Sequence, residues 1–242
     1  MRLALISDIH GNQTALAAVL SDIEKAGADQ VVCLGDVATL GPHPQEAINL
    51  LRERHIDCIL GNHDAFLTEP SLITTYTDQP LIVQSVDWCR SQLDQEDLAF
   101  LASFPLTISM SVADGCEVLL FHGSPRSHME DLLATTPPER LDELLAGHAA
   151  AVMACGHTHI QMLRQHKGRL LLNPGSVGCP FKEYVAGKKP RILAHAEYAI
   201  LEVHRGAVQA SLRRVPLDKK ALYEEVELSD MPLRSMMLGQ YS

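Results

Sequence analysis

Residues 2–36 read RLALISDIHGNQTALAAVLSDIEKAGADQVVCLGD. A short apolar run, RLALIS, gives way to QTALAAVLSDIEKAG, whose apolar residues recur at helical spacing and which Gly27 closes as a C′ glycine; a second apolar run, QVVCLG, follows. The rhythm repeats through PQEAINLLRERH and IDCILG. Short strands alternating with helices of about 10–15 residues predict βαβαβ with a parallel sheet, whose strand ends face a ligand crevice at their carboxyl side.

Outward from this frame, residues 64–105 lose the rhythm and show apolar spacing that suits helices, so a helical insertion beside the crevice is expected at about 64–105. Sheet character returns with TISMSV, a turn at Ala113-Asp114-Gly115, and CEVLLFHG. PPERLDELLAG reads as a helix with Pro near its start, and AAAVMACG as a further strand. Two hairpins around Lys167-Gly168 and Arg205-Gly206 then predict a second, largely antiparallel sheet. No Pro/Gly/Ser linker divides the 242 residues, so one domain, 1–242, is expected. The tail MPLRSMMLGQYS either folds back, reaches a partner or frays, and a homo-oligomer remains open.

The formal net charge is −10 and no run of Lys or Arg exceeds a pair, which argues against a long phosphate-tracking groove and hence against long nucleic acid as a partner. A small phosphorylated substrate fits if metal supplies the positive charge. Six scattered cysteines without a C-x-x-C pair indicate a reducing compartment. MRLALISD meets an acid by residue 8 and lacks a signal-peptide core, and no apolar run approaches about 18 residues, so a cytoplasmic protein away from membranes is expected.

What ends the apolar runs is the chemical signal. RLALIS ends in Asp8-Ile9-His10, VVCLG in Asp36, IDCILG in Asn62-His63-Asp64, EVLLF in His122, and AVMACG in His157-Thr158-His159. In an extended chain i and i+2 project to one side, so Asp8 with His10, and His157 with His159, would each grip one cavity while Ile9 turns to the core. Asp36 follows a glycine and has two oxygens with which to bridge two cations. Carboxylate and imidazole without thiolate suit Mn, Fe, Zn, Co or Ni. A lone Asp or His at a strand end is ordinarily a cap; five such ends in one chain indicate a metal site. His43, His55, His128, His148, His166, His195 and His204 are read as exposed or loop histidines, His128 being the nearest to the cluster in sequence.

These blocks resemble the calcineurin-like metallophosphoesterase superfamily, whose signature runs D-x-H, G-D, G-N-H-D/E, H, G-H-x-H; here they are Asp8-Ile9-His10, Gly35-Asp36, Gly61-Asn62-His63-Asp64, His122 in FHGSP, and Gly156-His157-Thr158-His159. NPGSVG at 173–178 is similar to the small bacterial and archaeal branch of phosphodiesterases and phosphatases. The resemblance implies an α/β fold, a four-layer αββα sandwich of two mixed β-sheets flanked by helices. It implies two divalent ions, one held by Asp8, His10 and His159, the other by Asn62, His122 and His157, with Asp36 bridging, and His63 as the catalytic residue that approaches substrate. The protein Ser/Thr phosphatases carry G-D-x-V-D-R-G, whereas this chain has Thr39 and Leu40 in place of the second Asp and the Arg. That argues against protein phosphatase activity and leaves the orientation of His63 open, with Asp64 either holding it or capping the next helix.

The expected reaction is hydrolysis of a small phosphodiester, phosphoanhydride or phosphomonoester, nucleotide-like by family resemblance, by a metal-bridging hydroxide, with His63 protonating the leaving oxygen. Asn12 either bonds phosphate or caps the first helix, and Arg126 is a candidate phosphate clamp. Gly175 and Ser176 either line the site or turn the chain. Trp88, Phe66 and Tyr76 either stack a base or belong to the core. A scaffold of the retromer-subunit kind and a metal-dependent nuclease are the alternatives; the first is disfavoured because every ligand is present, the second by the charge.

Overall fold

The computed structural model describes residues 1–184 and 189–241. The chain opens as β1 (Arg2–Ile6), α1 (Gln13–Ala26), β2 (Gln30–Cys33), α2 (Pro44–Glu53) and β3 (Asp57–Cys58). α1 buries Ala15, Leu16, Val19, Leu20 and Ile23, one face at helical spacing. Asn12 caps it by accepting the Ala15 N–H, and Gly27, at φ 67°, ends it in the left-handed conformation. β1 pairs parallel with β2 and β2 with β3, in the register Leu5 to Val32 and Cys33 to Cys58, as the βαβαβ reading requires.

Four helices follow: α3 (Asn62–Thr68), α4 (Ile73–Tyr76), α5 (Pro80–Ser91) and α6 (Gln95–Ala102). Then come β4 (Thr107–Val112), β5 (Cys116–Phe121), α7 (Pro138–Leu144), β6 (Val152–Ala154), β7 (Met162–His166) and β8 (Arg169–Asn173). The chain ends in β9 (His195–His204), β10 (Ala207–Pro216), α8 (Lys219–Leu228) and α9 (Arg234–Tyr241).

Two five-stranded sheets result, ordered β10-β9-β1-β2-β3 and β4-β5-β6-β8-β7. Both are mixed: β9 is antiparallel to β1 and β10, while β5, β6 and β8 run parallel between antiparallel edges. The second sheet is thus not largely antiparallel, and the hairpin around Arg205-Gly206 joins the first sheet. The reason is burial on both faces of β9. Ala199, Leu201 and Val203 join Leu3, Leu5 and Val32 in the core between the sheets, with Val118, Leu120, Val152 and Leu172 from the other side. Ala196, Tyr198 and Ile200 face the helical layer with Ala4 and Ile6. On the far face of the second sheet, Leu119, Phe121 and Met153 pack on Leu141 and Leu144 of α7. The order helix, sheet, sheet, helix is an αββα sandwich.

The C-terminal tail folds back. Leu222, Val226, Met231, Leu233, Met237 and Tyr241 bury a cluster with Cys179 and Ile192. Trp88 Nε1 of α5 donates to Asp230 Oδ1 at 2.9 Å, and the Ile192 N–H donates to Gln240 Oε1 at 3.0 Å, tying the tail to α5 and to the loop before β9. The tail's last residue, 242, lies outside the described residues. Among the described residues no helix is long and apolar enough to cross a membrane. The cysteines are free and all but Cys116 are buried. His166 is not a loop residue: it is buried in β7 with Nε2 3.0 Å from Asp142 Oδ1. His195, at the start of β9, is likewise a strand residue, while His204, at its end, is exposed as expected.

Candidate active site

The loops after β1, β2, β5 and β6, with the first turn of α3 beyond β3, bring Asp8, His10, Asp36, Asn62, His63, His122, His157 and His159 to one place at the carboxyl ends of the strands. The convergence does not come from extended chain. Asp8, His10, Asp36, His157 and His159 have φ of 54°, 50°, 59°, 69° and 57°, so each donor sits in a left-handed bend. Asp and His tolerate that region better than most residues, yet each such bend costs on the order of 1–3 kcal/mol that the surrounding contacts must offset. Ile9, between two bends, is fully buried in the helix-side core.

Hydrogen bonds fix the bends. Ser176 Oγ donates to the Asp8 carbonyl at 2.7 Å and accepts the Cys179 N–H at 2.8 Å; Asn173 Nδ2 donates to the Gly156 carbonyl at 2.7 Å. The NPGSVG block therefore braces the two bent loops through side chains. Asp64 does not hold His63. Its carboxylate accepts the N–H groups of Asp36, Val37 and Gly61 at 2.7, 2.9 and 3.0 Å, locking the Asp36 loop to the first turn of α3. Burial and Asp36 push the Asp64 carboxyl up to about 7, while the three N–H bonds favour the ionised form, which is the state the geometry describes. Gly61 is needed because a Cβ there would lie 2.1 Å from Asp36 Oδ1.

Two donor groups adjoin, Asp8 with His10 and His159, and Asp36 with His122 and His157. His10 Nε2 lies 3.0 Å from His159 Nε2, which is 3.3 Å from Asp8 Oδ1, a buried oxygen with no hydrogen-bond donor. His122 Nε2 lies 3.1 Å from Asn62 Oδ1 and 3.4 Å from Asp36 Oδ2, and His157 Nδ1 is 2.9 Å from the same Asn62 oxygen. Asp36 Oδ2 is also 3.8 Å from His10 Nε2, so one carboxylate oxygen reaches both groups. The outward nitrogens are occupied: His122 Nδ1 meets the Leu34 carbonyl at 2.6 Å and His159 Nδ1 the Cys179 carbonyl at 2.7 Å. In neutral rings those nitrogens donate, which leaves each Nε2 with a lone pair aimed at oxygens. Lone pair facing lone pair is repulsive, and a cation resolves it. Protons compete with a cation for the same place. Burial works against the charged His122 ring, but the Asp36 carboxylate outweighs it and lifts the ring to about 10. For Asp8, burial raises the carboxyl, yet His159 brings it down to about 2. The donor set fits divalent cations held by oxygen and imidazole.

His63 sits among the donors without joining either group. Its N–H donates to Asp36 Oδ1 at 2.8 Å, its ring meets those of His10 and Phe66 edge-on at 5.2 Å each, and its Nδ1 is buried without a partner. Burial lowers its pKa, against the pull of Asp36. Thr39 Oγ1 stands 3.5 Å from His10 Nδ1, and Leu40 lines the cleft above.

Arg126 is not brought to the cleft: it is a half-exposed side chain whose Nη2 pairs with Glu130 Oε1 at 2.7 Å. Asn12 is spent on its helix cap and on the Gly178 carbonyl, 3.3 Å from Nδ2. Phe66 is core, Trp88 ties the tail, and Tyr76 alone of the three aromatics lines the cleft. Asp131 escaped the sequence reading. Its Oδ1 lies 3.4 Å from His157 Nε2, and its other oxygen accepts the Tyr184 hydroxyl proton. An acid nine residues past His122 carries no pattern that marks it.

The model of the calcineurin-like phosphoesterase superfamily domain matches residues 1–206, and the chain belongs to that superfamily. It is a metal-dependent phosphoric ester hydrolase by that membership. It is 29% identical over 95% of its length to an uncharacterised protein of Methanocaldococcus jannaschii, 93% of which is covered. It is 28% identical to the Escherichia coli phosphodiesterase YfcE over 74% of this chain and 81% of that one. Among solved structures, a metallophosphoesterase from Sphaerobacter thermophilus superposes with a TM-score of 0.75 at 26% identity, covering 100% of this chain and 98% of its own. A hypothetical protein from Pyrococcus horikoshii reaches 0.81 at 18% identity, with 98% and 96% covered, and shares the fold.

Proposed function

We propose that the protein hydrolyses small phosphodiesters with two divalent ions, one held by Asp8, His10 and His159, the other by Asn62, His122 and His157, with Asp36 between them. The observation that carries this reading is the reach of Asp36 Oδ2, 3.8 Å from His10 Nε2 and 3.4 Å from His122 Nε2. When bound, the ions supply an activated water and offset the charge of the phosphate. The water oxygen forms the new P–O bond as the bond to the leaving oxygen breaks. His63, neutral in the free protein because of its burial, gains its proton in the field of the arriving anion and passes it to the leaving oxygen. Diesters, nucleotide-like ones included, are favoured over phosphoanhydrides and monoesters because Lys189 is the only lysine or arginine lining the cleft among the described residues, and Leu40 fills the place of a phosphate-gripping arginine. The E. coli relative, a phosphodiesterase, supports the same choice.

The test is hydrolysis of matched chromogenic mono- and diesters by metal-stripped protein with Mn, Ni, Co, Zn or Mg restored singly. Metal-restored diester cleavage that disappears in Asp36→Asn is the expected result. A preference for the monoester, or turnover that survives stripping, would overturn the reading.

A further inference from the structure

The cleft above the donors encloses about 960 Å³, and most of its wall is idle in the chemistry at its floor. His10, His63, His157 and His159 form the floor. The wall carries Tyr76 and Leu81 from the inserted helices, Phe181 and Tyr184 from the loop after β8, and Met236 and Met237 from α9. Tyr76, Leu81 and Tyr184 are 45%, 51% and 39% exposed, three of the eight large apolar or aromatic side chains left open to water among the described residues. Apolar surface gathered in one concave place beside a reactive centre is surface that a ligand removes from water.

Position and charge narrow the ligand. The Tyr76 ring lies 6.1 Å from that of His63 and 6.4 Å from that of His157, and Phe181 stacks on His159 at 4.2 Å and 23°. A flat group lying against these rings is therefore close to a phosphorus at the floor. Asp78 and Asp131 also line the cleft, against Lys189, the single lysine or arginine lining it among the described residues, so a polyanion is disfavoured and a monoanion is accepted. The matched family domain ends at residue 206, so α8 and α9 lie outside it, yet α9 supplies part of this wall.

We propose that the wall is a subsite for a planar apolar ester group of a singly charged phosphodiester, and that the segment 219–241 is a specificity-determining element because it builds one part of that subsite. The proposal rests on the phosphodiesterase reading above and deepens it.

Two diesters with a common leaving group, methyl p-nitrophenyl phosphate and 1-naphthyl p-nitrophenyl phosphate, test it on the metal-loaded full chain. An apolar group placed in a hydrophobic pocket changes kcat/KM by about 10–200-fold, so at least a tenfold preference for the naphthyl diester is expected. Met236→Ser and Leu81→Ser should cut the preference below about threefold; Leu81 is exposed enough that its variant folds. A ratio near one in the wild type, or a ratio unchanged in both variants, overturns the subsite. Calorimetric binding of 1-naphthyl methyl phosphate against dimethyl phosphate is read in parallel. Absent turnover with a retained tenfold binding preference overturns the reaction and supports the subsite, while equal binding overturns the subsite itself. Thymidine 5′-(p-nitrophenyl phosphate) separates the two sources of a planar group: a preference shared with the naphthyl diester supports a nucleobase, and one confined to naphthyl supports a non-nucleotide aryl group.

Discussion

The floor and the wall of the cleft are built by opposite means. The floor is polar, buried and held in bent backbone: Asp8, His10, Asp36, Asn62 and His122 are at most 1% exposed, and their loops are laced to one another by side-chain hydrogen bonds. The wall is apolar, half-open and assembled from segments far apart in the chain, α4 and α5 on one side and α9 on the other. Chemistry demands fixed positions, so the floor tolerates little change, whereas selectivity requires only a surface of suitable shape. Substitutions should separate the two regions.

The largest effect is expected at the floor's centre. Asp36→Asn keeps the size of the side chain but removes the charge that serves both donor groups, so turnover should fall by at least about a thousandfold and metal content, measured by elemental analysis, should drop with it. If activity falls while both ions stay bound, Asp36 is not the shared ligand. His63→Ala should lose about 10²–10⁴-fold in kcat with metal content intact; loss of metal in this variant would place His63 among the ligands. Asp131→Asn joins floor to wall. It weakens the partner of His157 Nε2, and the affinity of the second ion, titrated by calorimetry, should fall by about 10–100-fold, the usual cost of removing a carboxylate behind a metal-binding imidazole. An unchanged affinity would make Asp131 a wall residue only. The smallest effect is expected at Trp88→Phe, which removes the hydrogen bond to Asp230 between α5 and the tail. Stability should fall by about 0.5–1.5 kcal/mol in urea unfolding, with metal content unaltered.

The same division governs what can be read from the sequence. The parallel order of β1, β2 and β3 follows from local periodicity, and the donors announce themselves because each ends an apolar run. The left-handed bends are invisible to that reading: an i, i+2 spacing looks the same in extended and in bent chain, and only the contacts of Ser176, Asn173 and Asp64 decide between them. The β9–β10 hairpin was legible as a hairpin, but its sheet was not, since which edge it joins depends on the apolar faces that β1 and α1 leave uncovered. The tail posed the same difficulty. MPLRSMMLGQYS is amphipathic in any setting, and its fold-back is set by the cavity that Cys179, Ile192 and Trp88 offer it.

The bent backbone has a consequence for how this site can change over time. Five of the nine non-glycine residues with positive φ among the described residues are donors. At those positions the conformation alone favours Asp, Asn, His and Gly over most other side chains, before any ion imposes its own taste. A glutamate at position 8 or 36 would keep the charge and still meet resistance from the main chain, and a β-branched residue would meet more. Drift at these positions is therefore biased toward a few neighbouring letters, each of which, glycine excepted, can serve as a metal donor, so the loops tend to preserve a coordinating site even while the surrounding wall is rewritten.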